Sequence, residues 1–146
     1  MKIQQRVMIF GALYVFFAAC SNKPQWTPEE RLNIEHFLNC EKADNVAARL
    51  ANSGMGFSAM SSDEVAELLQ LKKKALTEAQ AVRDDVLAKA HPDLPQHFRL
   101  EYQRSLELQI RNLEVGDVSA EIEGSNLHDK WVDWINSHNE EIRIPK

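Results

Sequence analysis

"TPEERLNIEHFLNCEKADNVAARL", residues 27–50, decides the fold class. Thr27 can cap a helix, Pro28 suits its first position, and Glu30 completes a capping box with Thr27. Apolar residues then fall at Ile34, Phe37, Cys40, Ala43, Ala47 and Leu50. Steps of three and four put them on one helical face. The helix is expected to end near Asn52, where Gly54 and Gly56 follow. Cys40 lies on the apolar face, so a buried, inert thiol is expected.

The same pattern recurs downstream. Ser61 and Glu64 form a second capping box, and Val65, Leu68, Leu69, Ala75, Leu76, Ala79, Val82, Val86 and Ala90 share a face. This predicts one long helix of about seven turns, closed by His91-Pro92. Lys72 falls near its apolar seam and is expected to snorkel outward. A third helix is predicted over 95–115, with Phe98, Tyr102, Leu106, Ile110 and Leu113 on one face and Gly116 as its C-cap. Leu100 and Leu108 lie off that stripe, which implies neighbours on two sides. Residues 117–125 are ambiguous. Asn126 is expected to cap a last helix carrying Leu127, Trp131, Trp134, Ile135, His138 and Ile142. No period-two strand pattern and no internal repeat occurs. The expectation is all-α: a single helical bundle of about four helices, spanning 28–146.

Residues 1–19 read as a targeting segment. Lys2 and Arg6 precede a nearly unbroken apolar run from Val7 to Phe17, and Ala18 and Ala19 are small. Eleven apolar residues span roughly 16 Å as a helix, about half a bilayer core, so a removable signal is favoured over a membrane span. Phe17-Ala18-Ala19-Cys20 resembles the lipobox of bacterial lipoproteins, with Phe17 standing where Leu is usual. That resemblance implies cleavage before Cys20, a diacylglyceryl thioether on its sulfur, and an acylated amine. Two or more chains give a stable anchor, each buried methylene contributing about 0.8 kcal/mol. Ser21 follows the cysteine, not the Asp that tends to retain Gram-negative lipoproteins at the inner membrane. The resemblance therefore implies the outer membrane, with the domain facing the periplasm. Residues 20–27 form a short tether. Trp26 within it can dock on the bundle or sit at the headgroups.

Without residues 1–19 the chain keeps 127 residues, 15 of them basic and 22 acidic, for a net charge of −7. That suits one domain with its own core and argues against nucleic acid. The cysteines are Cys20 and Cys40. With Cys20 lipidated, Cys40 is either buried or pairs between chains. No cysteine cluster, GxSxG, HExxH or phosphate loop is present. Leu76-Thr77-Glu78-Ala79-Gln80 matches the LTxxQ pattern of Spy-type periplasmic chaperones, but it stands once, mid-helix, in an acidic chain, and that reading is not adopted. His91 and His97 flank a Pro-rich turn, where a metal site would need a third ligand such as Asp93. No metal and no cofactor is assigned.

Two features bear on binding. Met55, Phe57 and Met60 occupy an apolar loop that either plugs the bundle or forms an adaptable lip. Trp131 and Trp134 share a helix face and suit a core or a binding hot spot. The expected function is a membrane-anchored, non-enzymatic protein-binding module. It would serve as an envelope-assembly accessory factor or as an immunity or exclusion protein with a protein partner. The rivals are a small envelope hydrolase using carboxylates, which requires a concave site with two carboxylates of shifted pKa, and a spacer without a specific partner.

Overall fold

In the computed structural model, residues 24–52 and 60–145 are described. They are helical, with no strand among them. The helices are α1 (Pro28–Asn52), α2 (Ser62–Ala81), α3 (Asp84–Ala90), α4 (Leu94–His97), a π-helical segment (Phe98–Gln103), α5 (Arg104–Val115) and α6 (Val118–His138). α4, the π segment and α5 run on without interruption. α1 packs on α2, α2 on α5, and α5 on α6. No described helix is long and apolar enough to cross a membrane.

Both capping boxes form. Thr27 N donates to Glu30 Oε2 at 2.8 Å while Glu30 N donates to Thr27 Oγ1 at 3.2 Å. Ser61 and Glu64 repeat the exchange at 2.7 and 3.3 Å. The α1 stripe is buried from Ile34 through Phe37, Cys40 and Ala43 to Ala47. Gly116 takes the left-handed conformation (φ 70°) and its N–H closes α5 onto Asn112 O at 2.7 Å.

The long helix expected over 61–90 is broken. Val82 and Arg83 are extended, with ψ of 132° and 138°, and α3 restarts at Asp84. Nothing in the local sequence forces this, because the apolar register runs through Val82 and Val86. The cause is tertiary. Asn33, nearly buried on α1, donates its amide to Ala81 O at 2.9 Å and accepts from Arg83 N at 2.8 Å. Arg99, on the π segment, donates to Ala79 O at 2.8 Å and also to Val82 O. Backbone groups freed by the break are thus satisfied by two distant side chains, as buried peptide groups require.

The last helix also departs from expectation. α6 starts at Asp117, whose carboxylate accepts from Ala120 N at 3.1 Å, and it passes through Asn126 without a break. Asn126 is exposed mid-helix. Gly124 lies inside this helix and serves packing. A Cβ on Gly124 would lie 3.2 Å from both Ser105 O and Leu108 Cβ, so α6 approaches α5 closely there. That contact buries Leu108, while Leu100 stays exposed, so one of the two off-stripe leucines finds a second neighbour. Nor does Lys72 snorkel: its ammonium lies 2.5 Å from Asp44 Oδ1, with both side chains largely buried.

The core is aromatic at its centre. Phe37, Phe98, Tyr102 and Trp131 meet with ring centroids 5.3–6.5 Å apart. Trp26 docks against this core, with Lys89 Nζ 5.2 Å from the centre of its ring. The C-terminal tail packs rather than frays: Arg143 N donates to Ala90 O at 3.0 Å, and Ile142 and Ile144 lie on the core.

Asn33→Ala leaves the Arg83 N–H and the Ala81 carbonyl without their partner. The expected loss is about 2–3 kcal/mol of unfolding free energy, read as a lower urea midpoint with an unchanged slope.

Candidate functional site

α1–α2, α2–α5 and α5–α6 pack directly on one another, and between α1 and α6 lies a cleft of about 330 Å³. α1 contributes Glu41, Asp44 and Asn45; α6 contributes His128, Trp131, Val132, Ile135 and Asn136; Tyr102 reaches it from the π segment. A π-turn inside a helix often marks a functional position. Here it carries both Arg99, which caps α2, and Tyr102, which lines the cleft. Ser105 Oγ donates to the Tyr102 carbonyl at 2.7 Å and satisfies it within the helix.

The cleft holds two carboxylates in opposed states. Burial raises Glu41 to about 7, and the neighbouring Asp44 charge adds to the rise. Burial also pushes Asp44 upward, but His128 and Lys72 outweigh it and hold Asp44 below the usual carboxylate value. His128 Nε2 stands 3.5 Å from Asp44 Oδ2 and spans the seam. Asp44 is therefore a fixed anion bound to its partners, and Glu41 is the carboxyl that changes charge near neutrality.

The Tyr102 hydroxyl is the anomaly. The residue is 2% exposed, yet among the described residues no group meets its hydroxyl in good hydrogen-bond geometry; the Cys40 sulfur is the polar neighbour it faces. Burial, followed by the Asp44 charge, raises its pKa, so it stays a neutral donor and acceptor. A buried hydroxyl left unpaired costs about 1–3 kcal/mol, and native proteins rarely leave one so. Cys40 lies nearby. Its thiol donates to Phe37 O at 2.9 Å, and burial pushes it up to about 12, as an inert interior thiol requires.

The residues singled out in the sequence are distributed unequally. Cys20, Met55 and Phe57 lie outside the described residues, and Met60 is partly buried just before α2. Trp131 is interior at 3% exposure, and its ring forms part of the cleft wall. Trp134 is enclosed by two histidines, stacked on His97 at 4.4 Å and on His138 at 4.7 Å. His91 meets Trp134 edge-on at 5.4 Å and His138 at 5.6 Å, so His91 and His97 each lie against the Trp134 ring. Among the described residues no group of three His, Cys, Asp or Glu is placed to hold a metal. Sequence reading did not single out Glu41, Asp44, Tyr102 or His128 for the site. The usable signal was Lys72: a lysine on an apolar seam needs an anion opposite, and Asp44 borders the α1 stripe.

Comparison with protein-family models, with curated proteins and with solved structures finds no match to this chain.

Because Glu41 is raised in the folded state, the native protein binds a proton between pH 4.5 and 7 that the unfolded chain releases. Stability therefore falls as pH rises through that window. Glu41→Gln removes the penalty. The variant should be more stable than the parent by about 3 kcal/mol at pH 8 and indistinguishable from it at pH 4, in urea titrations at both values.

Proposed function

We propose that the protein is a lipid-anchored, periplasm-facing binding module, held at the outer membrane through Cys20 and acting without catalysis on a protein partner. An envelope-assembly accessory factor and an immunity or exclusion protein are both roles of this type. The observation that carries the reading is the α1–α6 cleft, which sets a partly buried carboxyl group and a buried tyrosine hydroxyl in the wall of one concavity. Hot spots form where polar anchors and aromatic walls are sheltered from water.

The tether supports the anchored arrangement. From Cys20 to Pro24 the chain reaches at most about 14 Å, so an acylated Cys20 would hold the bundle against the bilayer. A groove of about 430 Å³ lies at that end, between Pro24, Trp26 and Arg31 on one side and Arg143 and Ile144 on the other. Two guanidinium groups beside apolar walls suit a headgroup layer. Tethering then concentrates the cleft near other envelope proteins, which lets modest contacts suffice.

A second reading is favoured by one observation. Glu41 and Asp44 have pKa values pushed apart within one concave site, the pattern of an acid–base pair in a carboxylate hydrolase. Against it, Asp44 is already engaged by Lys72 and His128, which leaves Glu41 alone to act.

Fractionation of a Cys20→Ala variant tests the anchor, with loss from the membrane fraction expected; unchanged retention overturns it. Cross-linking of intact envelopes and co-purification with the full chain tests the module. One stoichiometric protein partner is expected. No partner, together with release of soluble fragments from envelope material that Glu41→Gln abolishes, decides for the hydrolase.

A further inference from the structure

We infer that the α1–α6 cleft is a receptor for a single arginine side chain presented by the protein partner, with the guanidinium seated between Glu41, Asp44 and the Tyr102 hydroxyl. The inference rests on the binding-module reading and names what that site recognises.

The lining decides the ligand class. Its polar groups are acceptor-rich: two carboxylates, the Tyr102 oxygen, and the side-chain amides of Asn45 and Asn136, beside His128, which is turned toward Asp44. A guanidinium offers five N–H donors in one plane and matches several acceptors at once, whereas an ammonium offers three at a point. Trp131, Tyr102, Val132 and Ile135 supply the apolar wall that an arginine stem covers. The volume, about 330 Å³, lies at the small end of ligand sites and fits one side chain better than a larger molecule. An independent sign comes from the hydroxyl. Tyr102 is buried and lines the cleft, and among the described residues its hydroxyl has only the weakly bonding Cys40 sulfur beside it and no partner in good geometry, so an incoming donor supplies the missing bond.

Charge makes the site conditional. Around Glu41 stand Cys40 and Asp44 on its own helix, Lys72 on α2, Tyr102 on the π segment and His128 on α6. Lys72 is committed to Asp44, so Glu41 has no cation of its own among its recorded partners. A guanidinium favours the ionised carboxylate, and binding then expels the Glu41 proton. By linkage the affinity rises with pH, about tenfold between pH 6 and pH 8 for a carboxyl that titrates near 7.

The test uses the full chain in detergent micelles and the peptide acetyl-Gly-Arg-Gly-amide. Its counterparts carry citrulline, a neutral near-isostere, or lysine in place of arginine. Binding is followed by the Trp131 indole N–H resonance. A dissociation constant of about 1–10 mM is expected at pH 8 for one side chain, weakening about tenfold at pH 6, with citrulline inactive and lysine weaker. Glu41→Gln should weaken binding and flatten the pH dependence. Tyr102→Phe removes only a hydroxyl without a well-placed partner, so it should weaken binding severalfold without lowering the urea midpoint. Equal binding of arginine and citrulline peptides, equal binding of arginine and lysine peptides, or no response to Tyr102→Phe each overturns the proposal. A co-purified partner whose capture ignores Glu41→Gln and Tyr102→Phe leaves the binding module standing and removes the arginine site. Arginine-selective binding without any captured partner does the reverse.

Discussion

The side-chain amide of Asn33 holds the structure to its path. At Ala81–Arg83 the chain leaves α2, and a carbonyl and an N–H lose their helical partners. Asn33 supplies an acceptor and a donor to them from the neighbouring helix. Arg99 covers two further carbonyls from the far side of the turn. Without those four bonds the apolar register would carry α2 straight on toward His91. With them, α3 turns aside, Leu87, Ala90 and Leu94 close the end of the core, and Phe98 enters its centre. The π segment belongs to the same solution, since it carries Arg99 on the break and Tyr102 on the opposite task.

That division of labour leaves one seam unfinished. α1 is committed to α2 through its small residues Ala43 and Ala47 and through the Asp44–Lys72 pair. α6 is committed to α5, where Gly124 lets the backbones approach. The two outer helices are therefore each held by an inner one, and contact between them is optional. Among the described residues, His128 and the edge of the aromatic cluster bridge the space. A buried ion pair adds little net stability but is costly to break. Asp44 and Lys72 thus serve better to fix where the cleft lies than to strengthen the bundle.

Much of the fold was legible because it depends on local rules. Capping boxes at Thr27 and Ser61, the three-four spacing of α1, and glycine at 116 each act within one turn and each appear as read. The break at Val82 was not legible, because its cause lies some fifty residues away in Asn33. The start of α6 at Asp117, where Asn126 was expected to cap, was not legible, because residues 117–125 are ambiguous locally and Gly124 shows its close-packing role only when α5 is beside it. The site was less legible than the fold. Tyr102 and Trp131 belong to apolar stripes and look like core, which they also are. Glu41 looks like one more acidic residue on a helix face, and only the approach of α6 turns it into a carboxyl with an altered charge.

Cys40 gives the fold a protective role in time. Its sulfur is wholly enclosed by α1 and the aromatic cluster, and its proton is held far above neutrality. Thiol chemistry at this position is therefore open to the chain only before it has collapsed. Were the chain to fold in an oxidising compartment, as the proposed anchor implies, this would set a race: a molecule that closes promptly would keep its cysteine reduced, and one that lingers unfolded would be open to mixed-disulfide formation. The redox state of a single sulfur would then report how quickly each molecule folded.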